Sequence, residues 1–196
     1  MRVLTLSGAG LLAAASLAAA GPLDTPGAAK AVTCSACHGP GGNSRAEATP
    51  VLAGMPVWYF KKAIEDYAAG RRPSPEMEPF AKMVKQVGVD DVAAYFAAQP
   101  REKLAVKVDR DAAARGRKAA VVCASCHGDD GRGDAQRGVP SLIGQPPGYL
   151  KNQMLLFKAD RRSPGDAELA KLKAVMKGVD DATLADLAAY YASLGR

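Results

Sequence analysis

The chain has 196 residues, 48% hydrophobic but only 6% aromatic, with a formal net charge of +6. That length suits one domain or two small ones, and the scarcity of aromatic side chains argues against two cores filled by protein atoms alone. There is no flavin motif and no nucleotide-binding loop, and no residue set marks out a general acid or base.

Residues 1–20, "MRVLTLSGAGLLAAASLAAA", open with a single Arg, run apolar without charge and end in small residues. This is the build of a secretory signal peptide, with Ala18 and Ala20 placed for cleavage at Ala20/Gly21. A retained membrane anchor is the rival, but the run is Ala-rich and short against the roughly 17–25 residues that a span requires. Removing 20 of 196 residues leaves 176, and losing Arg2 lowers the formal charge from +6 to +5. The mature chain is therefore expected to be soluble and exported.

The mature chain repeats itself. "VTCSACHGPG" (32–41) returns as "VVCASCHGDD" (121–130), "PVLAG" (50–54) as "PSLIG" (140–144), and "AAYFAA" (93–98) as "AAYYAS" (188–193). The boundaries this implies are an N-terminal domain at 21–100, a linker at 101–109 and a C-terminal domain at 110–196. Within each half the spacing is helical. Leu184, Leu187, Ala188, Tyr191 and Leu194 recur at three- and four-residue steps, with Asp180 or Asp181 placed to cap, and neither half alternates as a strand does. The expectation is all-α, with three or four short helices per half joined by Pro/Gly loops.

All four cysteines and both histidines fall in the two CxxCH copies: Cys34, Cys37 and His38, then Cys123, Cys126 and His127. On a helix these positions share one face. Two thiols can then add to the vinyl groups of one haem while the adjacent imidazole reaches the iron, and this is the attachment sequence of c-type haem. A Cys₄ zinc cage would leave both histidines idle. A thioredoxin-like pair belongs beside a βαβ unit that is absent here. Disulfides suit an exported chain but give no reason for His at the same place twice. Two covalent haem c groups would also supply the apolar bulk that the cores lack.

With two CxxCH motifs, two P-x-L-x-G segments and two AAY[FY] helices, residues 28–196 resemble the dihaem cytochrome c4 family. The resemblance implies two tandem cytochrome c-like domains, each wrapped round one covalent haem, and the shuttling of single electrons in the periplasm or at its membrane surface. Small dihaem subunits that serve flavin-containing sulfide dehydrogenases look similar. In such folds Met commonly takes the iron's second axial position. "SPEMEPFAKMVK" fits the family's Met, then Pro two residues on, which places that ligand at Met77 and gives Met83 a packing role.

The second half departs from this pattern, with Leu172 where the family's methionine stands. Three arrangements are open there: ligation by Met176, an open or water-bound iron, or a deprotonated lysine from Lys171 or Lys173. Met154 reads as packing. By the same resemblance Pro50 and Pro140 open the segment passing the iron-bound His, where a backbone carbonyl would hold the imidazole. Tyr59 and Tyr149 occupy equal places, as do Arg71/Arg72 and Arg161/Arg162, with haem propionates or ordinary helix packing and solvated helix ends as the alternatives.

The function this implies is a periplasmic one-electron carrier in a respiratory or oxidative chain, not an enzyme. Its partners would be redox proteins such as a membrane oxidase, a reductase complex or a dehydrogenase, with room for peripheral membrane association. The alternative is an enzyme subunit or ligand sensor whose open second haem is fed by the first. The basic charge does not argue for nucleic acid. Two haems bring propionates worth about −4, leaving the holoprotein near +1 from the mature +5.

Overall fold

A computed structural model describes residues 25–162 and 171–195. The expected signal segment and its cleavage point at Ala20/Gly21 lie outside these residues. Among the described residues there is no sheet, only one isolated bridge between Asp134 and Val139. No helix there is long and apolar enough to cross a membrane.

Among the described residues each half holds five α-helices, against the three or four expected. The first half comprises α1 (Pro26–Ala31), α2 (Ser35–His38), α3 (Val57–Ala68), α4 (Met77–Val87) and α5 (Val89–Ala98). The second comprises α6 (Arg110–Ala119), α7 (Val121–His127), α8 (Pro147–Lys158), α9 (Leu172–Lys177) and α10 (Asp181–Ser193). Local chemistry marks the starts. Pro26 sits in the first turn of α1, where its missing N–H costs nothing. Asp109 caps α6 by accepting from the N–H groups of Asp111 and Ala112. Asp180 caps α10 through the Thr183 N–H at 2.9 Å.

In both halves the first helix crosses the last at a glycine. A Cβ on Gly27 would stand 2.0 Å from Asp91 O, and one on Gly116 would stand 2.0 Å from Asp186 O. Only glycine permits that approach of α1 to α5 and of α6 to α10. The crossing holds each CxxCH helix against a core: Phe60, Ile64, Val84, Val92 and Phe96 in the first half, and Leu150, Met154, Leu184, Leu187 and Tyr191 in the second. The P-x-L-x-G loop is tied back to the last helix in each case, Gly54 N–H to Phe96 O at 2.9 Å and Gly144 N–H to Tyr191 O at 3.0 Å.

A third core lies between the halves and draws in the connecting segment. Leu104, Val106 and Val108 are buried with Val51 and Ala53 from one half and Ala113, Ala189 and Ala192 from the other. The stretch at 101–109 therefore contributes packing as well as connection.

Candidate haem sites

The two CxxCH helices end the same way. Gly39 and Gly128 both take φ of +76°, a conformation that costs glycine little, and this turns the chain out of the helix directly after the histidine. The chain then loops back along the imidazole. His38 Nδ1 lies 2.8 Å from Pro50 O, and His127 Nδ1 lies 2.9 Å from Pro140 O. A carbonyl oxygen only accepts, so Nδ1 carries the proton in both rings and the Nε2 lone pair is left to face a metal. Burial lowers the pKa of both histidines, which favours that neutral, ligating form. The same burial raises the thiols of Cys34 and Cys123, so neither is a primed thiolate of the kind a thiol-redox site uses. None of the four cysteines is in a disulfide.

In the first half these groups open on a cavity of about 490 Å³. Its wall takes in Cys34, Cys37, His38, Tyr59, Phe60 and Met77. The cavity thus brings Cys34, Cys37, His38 and Met77 together, while Met83 packs on the core and does not line it. Met55, which the sequence pattern did not single out, also lines the cavity. It stands on the loop that carries the Pro50 carbonyl, whereas Met77 comes from the start of α4. The second half contributes as well, with Tyr149, Asn152, Gln153 and Leu156 of α8 in the same wall.

In the second half Met176 is buried at 7% exposure, in one cluster with Ala120, Tyr149, Leu150 and Met154, against which Cys123 packs. Leu172 is the first residue of α9, and its side chain lies outside what is described. The Lys173 amine is held in an ion pair with Asp160, which ties up one of the two lysine candidates.

The duplicated arginines and tyrosines meet across the halves. Arg72 donates to the Tyr149 hydroxyl at 2.5 Å and to Gln153 Oε1 at 3.0 Å. Arg162 donates to the same Gln153 oxygen at 2.6 Å and to the Tyr59 hydroxyl at 3.3 Å. Arg71, by contrast, is exposed and pairs with Glu65 and Asp66. Arg72 and Arg162 are only 2% and 8% exposed, and among the described residues no carboxylate reaches either. Two buried cations without an anion would be costly. The burial of Tyr59 works to raise its pKa, but Arg162 and then Arg72 outweigh it and bring it down to about 7. Burial raises Tyr149. An apolar cavity with two thiols, an imidazole and a thioether in its wall, bordered by cations that no described carboxylate reaches, fits a flat apolar group carrying carboxylates. The residues present fit a haem.

Comparison with known proteins agrees. The cytochrome c family profile matches residues 113–195. Cytochrome c4 of Pseudomonas aeruginosa is 33% identical, over 98% of this chain and 96% of its own length. A thiosulfate dehydrogenase electron acceptor of Stutzerimonas stutzeri is 30% identical over 85% of this chain and 81% of its own. The crystal structure of reduced recombinant cytochrome c4 from Pseudomonas stutzeri superposes with a TM-score of 0.74 at 28% identity, covering 84% of this chain and 94% of that one.

Proposed function

The chain belongs to the cytochrome c4 family, and from that premise we propose that it is a periplasmic carrier of single electrons, linking a dehydrogenase or reductase to a terminal oxidase. Bound haem supplies an iron that gains and loses one electron. Covalent attachment would run through Cys34 and Cys37 in the first half and through Cys123 and Cys126 in the second. His38 and His127 would each offer Nε2 to an iron, oriented by the Pro50 and Pro140 carbonyls. Met77 would close the first site from α4, and Met176 would close the second from α9. Arg72 would meet carboxylates at the edge of the first cavity, and Arg162 at the interface beside it.

The observation that carries this proposal is the shared cavity of Cys34, Cys37, His38 and Met77. With His38 and Met77 both bound to an iron in the first cavity, no position there would be left for a substrate, and electron transfer would be the chemistry the haem supplies. Optical and EPR spectra of the ferric holoprotein test it, recorded beside Met77→Ala and Met176→Ala. Two low-spin His/Met signals, one lost in each variant, are expected. A high-spin signal in the unmodified protein, unaffected by Met176→Ala, would overturn the second assignment and favour an open haem.

A second reading, an acceptor subunit serving a dehydrogenase, draws on the similarity to the S. stutzeri electron acceptor. It keeps the same electron-carrying sites and differs only in partner.

A further inference from the structure

The two halves are copies, so a position that differs between them and faces solvent is informative. Val121 and Val122 lead into the second CxxCH motif and are 77% and 50% exposed. One turn earlier on the same helical path stand Arg117 and Lys118, both exposed. Ala120, which joins α6 to α7, keeps right-handed helical angles. The four side chains therefore lie three and four residues apart and are surface neighbours. One turn further on come exposed Ser125 and half-buried Cys126. Arg115 is taken by Asp186 and Arg132 by Asp130, but among the described residues neither Arg117 nor Lys118 makes an ion pair.

The first half lacks this arrangement. At the offset of 89 that superposes the motifs, Arg117 and Lys118 correspond to Ala28 and Ala29, and Val122 to Thr33; only Val32 keeps its counterpart's character. The nearest cation, Lys30, is paired with Asp91. The overall charge leans the same way. Residues 21–100 carry eight basic and eight acidic residues, whereas 110–196 carry fourteen and ten.

An exposed apolar pair costs solubility without return unless something covers it, and free cations at its border select a negative surface. A small patch suffices for the brief encounters of redox proteins, which bury less than about 1,200 Å². We propose that Arg117, Lys118, Val121 and Val122 form the docking surface for an acidic redox protein, so that electrons enter or leave through the second CxxCH site and not the first. The proposal rests on the carrier reading and adds the partner's chemistry and the port it uses. An anionic membrane is the less suitable occupant, because the patch offers two valines and no aromatic or long aliphatic side chain to insert.

An acidic flavodoxin serves as the probe. Its anionic hydroquinone gives one electron to a ferric haem and becomes the neutral semiquinone, with no proton moved. Stopped-flow rate constants for the holoprotein are compared across an ionic-strength series for Arg117→Gln/Lys118→Gln, Val121→Ser/Val122→Ser and, as the copy in the other half, Val32→Ser. The charge variant is expected to lose about fivefold or more at low ionic strength, converging with the unmodified protein at high salt. The valine variant is expected to be slower at every salt, and Val32→Ser unchanged. Flavin-free flavodoxin should shift backbone NMR signals at 117–126 and leave 28–37 alone.

Equal slowing by Val32→Ser, or no effect of the charge variant at any salt, overturns the proposal. So does loss of binding to phosphatidylglycerol vesicles by the charge variant with flavodoxin rates intact, which would assign the patch to a membrane. The carrier reading fails on a different result: neither haem of the unmodified protein accepts an electron from flavodoxin.

Discussion

Arg72 of the first half donates to the Tyr149 hydroxyl of the second, and Arg162 of the second half donates to Tyr59 of the first, with Gln153 accepting from both guanidinium groups. The pairs are equivalent by duplication, so the interface is a crossed exchange of like residues across an approximate twofold. A self-complementary contact of this kind is how a two-fold dimer interface is built. Here the two copies share one chain.

Replacing Arg72 with Met keeps much of its volume but removes its charge and its hydrogen bonds to the Tyr149 hydroxyl and Gln153. Stability should fall by about 2–4 kcal/mol, the scale of lost buried charge-assisted hydrogen bonds plus imperfect packing. Removing a positive charge beside the first cavity also favours ferric iron there. The first haem's potential is therefore expected to drop more than the second's in a redox titration, with Arg72→Lys recovering part of both effects.

Gln145 joins the halves by a pair of hydrogen bonds to one residue, Oε1 accepting from Val51 N–H and Nε2 donating to Val51 O, each at 2.9 Å. Gln145→Ala leaves a buried donor and acceptor unmet, at a cost of about 2–4 kcal/mol in chemical denaturation. Gln145→Glu can donate to Val51 O only when protonated. Its deficit should therefore grow as pH rises through the carboxyl's titration and shrink in acid.

Gly27→Ala and Gly116→Ala each place a methyl on a backbone carbonyl at 2.0 Å, with no flexible side chain to move aside. Helix crossing must open in the affected half. Each variant should lose more than about 3 kcal/mol, and the yield of haem-loaded protein should fall, read from the absorbance ratio of haem to protein.

What the sequence determined by itself is whatever rests on short spacing. CxxCH at two places announced two haem sites, because attachment needs thiols and an imidazole on one turn of helix, and the capping of α10 by Asp180 was legible for the same local reason. The duplication was readable too, although the part that Gly27 and Gly116 play in the helix crossings was not. The tertiary structure alone decided the rest. Val51 and Gln145 are 94 residues apart, and Arg72 and Tyr149 are 77 apart. Nothing periodic links such partners, so Arg72 and Arg71 look alike in sequence while one is buried and the other exposed. The burial of Leu104, Val106 and Val108 was hidden likewise. A segment between two domains becomes core only when both surfaces close on it, and that depends on how the halves pack.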